Sequence, residues 1–273
     1  MSSAKVPTPN LAPDSRRVAL ITGSARGIGH SIALRLVQDG LCVVINDIPA
    51  KEELLNEVVE HLNGLNPDTE ERVAIAVPGD VSLEADVERM VSEAVRVFGR
   101  LDVMVANAGF GGPTTPIMDA DVNAWESLFA VNIRGVLLSY KHAAKQMVKQ
   151  GFGGRIIGAG SMASFKGTPR MGAYCAAKAA VRSMTQTLAQ ELSEHNITVN
   201  AYAPGVIETE LTKTDKDEAL GGPCGLVKKI FDVPNAKVGQ PDVVASLVSY
   251  LVKPEAFFIT GQTISVDGGI HFS

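Results

Sequence analysis

Residues 17–37 read RVALITGSARGIGHSIALRLV, and the change of pattern within them decides the architecture. Arg17 to Thr22 is a short apolar run with β-branched members, the signature of a buried strand. Gly23, Gly27 and Gly29 follow at once, and Ile28, Ile32, Ala33, Leu36 and Val37 then recur at helical spacing. Strand, glycine turn and helix N-terminus in that order make an anion site. The backbone can approach a pyrophosphate closely, and the first helical turn offers unpaired N–H groups. The spacing is GxxxGxG rather than the familiar GxGxxG, and on its own it also fits a tight strand-to-helix turn without a ligand.

Working outward, strand and helix signals alternate to the end of the chain. Leu41 to Asn46 reads as a second strand, and Asp47 closes it eighteen residues after Gly29. A carboxylate there is placed to hold a ribose hydroxyl, and its charge would repel a 2′-phosphate, which favours NAD. Arg26, inside the glycine turn, could face a 2′-phosphate and speaks for NADP. Glu52 to Asn63 predicts a helix, and Arg72 to Val77 a strand followed by Gly79-Asp80-Val81. Asp80 suits either an adenine amino group or a turn carboxylate. Ala85 to Phe98 predicts a helix closed by Gly99, and Leu101 to Ala106 a strand ending in Asn107-Ala108-Gly109. Ala124 to Lys149 predicts one long helix carrying Asn132 among apolar residues, either a satisfied core amide or an organiser of water near Lys178. The strand from Ile197 to Ala201 runs into Ala203-Pro204-Gly205-Val206-Ile207-Glu208-Thr209. Residues 210–238 are polar, carry Gly221, Gly222, Pro223 and Gly225, and read as a substrate flap. The helix Pro241 to Leu251 and the strand Gln262 to Val266 finish the pattern. Such alternation calls for an α/β fold: a single doubly wound domain over residues 17–273, its parallel sheet covered by helices on both faces.

Composition narrows the function classes. The net charge is −5 with no Lys/Arg cluster, which argues against a nucleic-acid surface. No apolar run approaches the roughly 18 residues of a membrane span. The Pro- and Ser-rich opening, residues 1–16, reads as a flexible arm and not as a signal peptide. Three cysteines (Cys42, Cys175 and Cys224) lie far apart without CxxC spacing, which suits a reducing, cytoplasmic setting with no disulfide framework and no metal site. Cys175, next to Tyr174, reads as a small buried hydrophobe, because helical neighbours point about 100° apart.

Ser161 to Lys178 carries the chemistry: SMASFKGTPRMGAYCAAK. Tyr174 and Lys178 are four residues apart in a Gly- and Pro-free run from Ala173 to Gln190, so a helix puts them on one face. A phenol titrates near 10, too high for ready proton exchange at neutrality, but a neighbouring cation favours the phenolate and lowers that value. Ser161 follows the strand-like run Arg155 to Ala159, where its hydroxyl could hold a carbonyl oxygen as the bond polarises. Alone, Y-x-x-x-K is also an ordinary surface pair.

Taken together, Thr22-Gly23-x-x-x-Gly27-Ile28-Gly29, Asp80-Val81, Asn107-Ala108-Gly109, Asn132, Ser161, Tyr174-x-x-x-Lys178, Pro204-Gly205 and Thr209 resemble the short-chain dehydrogenase/reductase family from Arg17 to the C-terminus. The resemblance implies a seven-stranded Rossmann-type sheet with substrate over the C-terminal ends of its strands. It implies a catalytic tetrad of Asn132, Ser161, Tyr174 and Lys178, with Tyr174 passing the proton. Lys178 lowers the phenol's pKa and binds the nicotinamide ribose, Ser161 orients the reacting oxygen, and Asn132 supports a water beside Lys178. The cofactor set implied is Gly23, Arg26, Gly27, Ile28, Gly29, Asp47, Asp80, Val81, Asn107, Ala108, Gly109, Tyr174, Lys178, Pro204, Gly205, Val206, Ile207 and Thr209, with no metal. Substrate contacts are expected from Ser161, Met162, Ala163, Met171, Tyr174 and Val206. The sequence departs from the family's common pattern at Gly158, Gly160 and Ala177, none of which removes a tetrad group. The segments Ile157 to Ser161 and Val199 to Gly205 are similar to acetoin/diacetyl reductases and small polyol dehydrogenases.

The expected activity is hydride transfer between NAD(H) and a secondary alcohol or ketone, a small diol or hydroxyketone fitting best. An NADPH-dependent ketoreductase and a non-catalytic dinucleotide sensor are the competing readings, and an intact tetrad weighs against the sensor. The family also implies a homotetramer or homodimer, in which the helix from Ala124 and the tail Ile270 to Ser273 would meet a neighbouring subunit.

Overall fold

Strand β1 (Val18–Ile21) is fully buried, and its neighbours explain why the chain must leave it through glycine. The computed structural model describes residues 16–65 and 72–272, so residues 1–15 of the predicted arm, 66–71 of the polar link and Ser273 lie outside the described residues. From β1 the chain turns into α1 (Gly27–Gln38), β2 (Cys42–Ile45), α2 (Glu52–Gly64), β3 (Ala74–Ala76), α3 (Glu84–Phe98) and β4 (Val103–Ala106). The second half runs through α4 (Val122–Phe129), α5 (Val136–Gln150), β5 (Gly154–Ala159), α6 (Gly172–Glu191), β6 (Ile197–Pro204), α7 (Gly225–Ile230), α8 (Pro241–Leu251) and β7 (Thr263–Val266).

The strands form one seven-stranded sheet in the order β3-β2-β1-β4-β5-β6-β7. Every pairing is parallel, from Val18 opposite Cys42 to Pro204 opposite Val266. Side chains alternate across it as the pleat requires. Ala19, Ile21, Val43, Val103 and Ile157 face Ile32, Leu36, Leu55 and Val248 on one side. Val18, Leu20, Val44, Met104 and Ile156 face Met90, Val136, Tyr140 and Val181 on the other. The order reverses between β1 and β4, and a crevice opens beyond the carboxyl ends of strands at such a switch point.

Three expectations change in detail. The predicted helix from Ala124 to Lys149 is not continuous: Ala130–Gly135 winds as a π-turn between α4 and α5. A π-turn inserts an extra residue and commonly marks a functional position, and this one holds Asn132. Strand β6 continues past Ala201 to Pro204, pairing there with β7. The flap contains a short 3₁₀ turn (Glu218–Leu220) and α7, and its ends are tied where Gly239 N donates to Val206 O and Glu208 N to Gly239 O, both 2.9 Å. Among the described residues no helix is long and apolar enough to cross a membrane.

Candidate active site

The glycine turn is closed from below. Gly23 and Gly27 adopt left-handed φ values of +63° and +60°, which only glycine takes without strain. A Cβ on Gly29 would lie 2.3 Å from the Gly23 carbonyl oxygen and 2.6 Å from Asn107 Nδ2. Nothing larger than hydrogen fits, so the backbone is held open toward the cleft. Asn107 Nδ2 donates to Thr22 O (2.8 Å) and Gly23 O (2.9 Å), while the backbone N–H groups of Asn107 and Ala108 both donate to Thr22 Oγ1 at 3.0 Å. The ends of β1 and β4 are thereby locked beneath a cleft of about 500 Å³.

Where the cleft passes the end of β2, Asp47 is buried and accepts from Ile48 N at 3.0 Å and Ala25 N at 3.4 Å. Lys51 Nζ lies 3.1 Å from its Oδ1, a partner that sequence reasoning missed although the i, i+4 spacing was there to read. Both side chains line the cleft. Arg26 is already engaged, by the Glu210 carboxylate of the flap. Asp80 accepts from Ser82 N at 2.8 Å, as a turn carboxylate does, and also lines the cleft.

The groups expected to react converge beyond the ends of β5 and β6. Helix α6 places Lys178 Nζ 5.5 Å from the Tyr174 ring centroid, the shared face expected from their spacing. Lys178 is buried, donates to Ala159 O at 2.8 Å, and burial lowers its pKa to about 8. Tyr174 differs from the expectation of a lowered value: burial raises its pKa, a hydrogen bond from Ser161 opposes that, and Cys175 adds slightly to the rise. The reason is desolvation. Removing a phenolate from water costs more than the groups around it return, so the phenol is neutral at rest. Ser161 caps the turn Met162–Ser164, its Oγ accepting from Ala163 N at 3.2 Å. Ser164 Oγ in turn donates to Lys178 O, which ties the serine's turn to α6.

Asn132 is fully buried, and its side chain is committed: Nδ2 donates to Phe110 O at 2.8 Å and Oδ1 accepts from Phe110 N at 3.1 Å. It therefore holds the loop after β4 against the π-turn. A Cβ on Gly109 would lie 3.1 Å from Asn132 Oδ1 and 3.5 Å from Lys178 Nζ, so the amide and the ammonium flank one spot.

The cleft brings together all the expected cofactor residues except Val206, and with them Ser161, Tyr174 and Lys178. Val206, Met162, Ala163 and Met171 lie behind the cleft wall, buried at 1–5 % exposure in a cluster with Cys175, Cys224 and Phe231. Residues that sequence reasoning did not single out, among them Lys51, Phe110, Val131 and Tyr202, line the cleft instead.

Residues 23–271 match the family model described as Enoyl-(Acyl carrier protein) reductase. The chain is 44% identical to the short-chain dehydrogenase/reductase eriH of Hericium erinaceus, over 93% of this chain and 98% of that one. It is 39% identical to a diacetyl reductase [(S)-acetoin forming] of Staphylococcus aureus, over 94% and 99% of the two chains. The chain belongs to the short-chain dehydrogenase/reductase family. A crystal structure of 3-ketoacyl-(acyl-carrier-protein) reductase from Brucella melitensis complexed with NADH superposes with a TM-score of 0.80, at 31% identity and covering 93% of this chain and 98% of that one.

As a short-chain dehydrogenase/reductase, the protein is an NAD(P)-dependent oxidoreductase acting on ketone and alcohol groups. Similar solved structures hold NADH and NADP. The residues fit such a dinucleotide on this chain's own evidence. The turn has no room for a side chain at Gly29, helix α1 begins without a side-chain cap on its N–H groups, and the Asp47 carboxylate lines the cleft where β2 ends.

Proposed function

We propose that the protein interconverts a ketone and a secondary alcohol with NAD(H), on a small diketone, hydroxyketone or diol, using Tyr174, Ser161, Lys178 and Asn132. The observation carrying this reading is the convergence of Ser161, Tyr174 and Lys178 at the end of the cleft away from Asp47. The dinucleotide, when bound, supplies or accepts the hydride. Everything else is proton and charge management by side chains.

In the reductive direction, the neutral Tyr174 phenol donates its proton to the carbonyl oxygen as that oxygen gains charge. The Ser161 hydroxyl, fixed on its capped turn, donates a hydrogen bond to the same oxygen. The phenolate left behind is costly in a buried site, and the Lys178 ammonium offsets that cost. The Lys178 bond to Ala159 O keeps the charge in place, and Asn132 keeps the Phe110 loop closed over it. Asp47 would hold the adenosine ribose and disfavour a 2′-phosphate.

Support for a small substrate comes from the diacetyl reductase relatives. A second reading, an NADPH-dependent ketoreductase, is favoured by one observation, the Lys51 ammonium beside Asp47. The test is turnover of diacetyl and acetoin with NADH and with NADPH, for wild type and Tyr174→Phe. We expect NADH to be preferred, and the variant to lose about a thousandfold in kcat, the scale of a lost general acid. Undiminished turnover in the variant overturns the catalytic assignment. A strong NADPH preference overturns the cofactor one.

The same reading makes the protein a cytoplasmic homotetramer or homodimer. Three buried cysteines, none in a disulfide among the described residues, support the compartment, and the exposed Val122 and Leu137 on α4 and α5 support the assembly. A monomeric mass in light scattering would refute the assembly.

A further inference from the structure

Tyr202 is the largest side chain buried below 2 % exposure, yet it stands in the cleft floor. Its hydroxyl donates to Asn107 Oδ1 at 2.7 Å, reaching from β6 across β5 to the end of β4. That bond decides which way the Asn107 amide faces. With Oδ1 occupied by the phenol, Nδ2 must point at the Thr22 and Gly23 carbonyls, the two bonds that set the glycine turn. A flipped amide would aim an oxygen at two oxygens. The backbone carbonyl of Tyr202 accepts from Gly160 N at 2.8 Å, immediately before Ser161. One residue of β6 thus ties the dinucleotide turn to the strand end that carries the catalytic hydroxyl.

We propose that Tyr202 is a positioning residue for dinucleotide binding. Its hydroxyl orients the Asn107 amide and so preorganises the turn of Gly23, Gly27 and Gly29 for a pyrophosphate. It transfers no proton, since burial pushes its phenol far above the ordinary range and its hydrogen is already given to Asn107. The loss of the hydroxyl would leave the part-buried Asn107 Oδ1 without this donor and the amide free to turn, a cost that falls on the bound state because only there must the turn hold one shape.

The proposal rests on the reading that the glycine turn holds the pyrophosphate. The experiment uses the full-length protein and NADH as the probe, with equilibrium binding and steady-state kinetics on wild type, Tyr202→Phe, Asn107→Ala and the double variant. The expected result is a roughly tenfold rise in the NADH Kd for Tyr202→Phe. Its kcat at saturating NADH stays within about twofold of wild type, and its pH–rate profile is unchanged. Adding Tyr202→Phe to Asn107→Ala raises Kd no further, because both act through one amide. A Kd unchanged in Tyr202→Phe, with only a lower melting temperature, reduces the residue to packing and overturns the proposal. So does a fall in kcat without a change in Kd, or an additive double variant. If Tyr202→Phe does not fold, Asn107→Ser removes the acceptor and leaves the ring, and a wild-type Kd there overturns the proposal equally. Wild-type protein that binds no NADH sinks the dinucleotide reading itself, a separate outcome from wild type and Tyr202→Phe binding alike.

Discussion

The floor of the cleft and the flap over it are built on opposite principles. In the floor, backbone groups are fixed by short polar bridges: Thr22 Oγ1 receives two N–H groups, Asn107 spans to Thr22, Gly23 and Tyr202, and Asn46 Nδ2 donates to Val77 O and Gly79 O at 3.0 Å each. In the flap, apolar volume contributes much of the shape. Phe231, Cys224, Val227 and Ile230 pack on Met162, Met171 and Val206, the buried Asp217 carboxylate accepts from Thr214 N at 3.0 Å and Leu226 N at 3.1 Å, and at the rim Lys213 lies 3.0 Å from Glu208 and Arg26 meets Glu210. On the proposed reading, recognition of a dinucleotide would depend on a few residue identities that geometry forces, whereas recognition of the substrate would depend on side-chain volumes that can vary without breaking the fold.

The contrast breaks most visibly at Gly29. Gly29→Ala puts a methyl 2.3 Å from a backbone oxygen, and that neighbour cannot swing aside as a side chain would. The turn must open, so we expect the dinucleotide Kd to rise on the order of a hundredfold, several hydrogen bonds' worth of lost fit. Phe231→Ala, a larger change in side-chain volume, should leave that Kd unchanged while raising KM for the ketone. Calorimetric titration of both variants with NADH checks the pair. Equal damage from the two would mean that floor and flap are one cooperative unit.

This difference also explains what could be read from the sequence. The parallel sheet, the glycine turn and the pair Tyr174 and Lys178 were legible because periodicity and forced glycines are local signals. The break in the helix around Asn132 was not, since a π-turn leaves the apolar pattern nearly intact and the backbone that Asn132 bonds there, at Phe110, is 22 residues away. Met162 and Met171 gave no warning that they would face the flap's interior rather than the cleft. Their surroundings depend on how residues 210–238 fold, and no period governs that stretch. Tyr202 was visible as a residue but not as a bridge, because its partner is 95 positions distant. The sign of the Tyr174 shift was missed for a related reason: charge spacing can be read from a helix, but desolvation is a property of the folded cleft.

That shift makes the catalytic end sensitive to pH in a way the floor is not. Lys178, held near 8 by burial, loses its charge above that pH, while the Tyr174 phenol stays neutral beyond its ordinary 10. Ketone reduction should then fall about tenfold per pH unit above pH 8, as the charge that offsets the phenolate disappears. Stability moves the other way. Between pH 8 and 10 the native state has lost the Lys178 proton that the unfolded chain keeps, so the unfolded state binds more protons and folding is favoured as pH rises. Above 10 the raised Tyr174 reverses the sign. Kinetics and urea unfolding at matched pH should therefore diverge between 8 and 10, and a parallel decline would assign the activity loss to unfolding.

The smallest effect belongs to Lys51, where the floor itself carries an adjustable element. Asp47 is buried and its orientation is fixed by the Ile48 and Ala25 N–H groups, so its charge stays where the proposed reading puts the adenosine ribose. Lys51, about a third exposed on its side chain, is the flexible counter-charge that softens it. Removing the ammonium by Lys51→Ala should strengthen repulsion of a 2′-phosphate and leave ribose hydroxyls unaffected. The ratio of kcat/KM for NADH over that for NADPH should then rise by roughly three- to tenfold at low salt, the range expected of a partly solvated charge. The rise should shrink as ionic strength increases, because water reaches this pair and screening follows. Measuring the ratio at two salt concentrations separates a charge effect from a steric one: an unchanged ratio at low salt would show that Asp47 discriminates, if it does so at all, by hydrogen bonding alone.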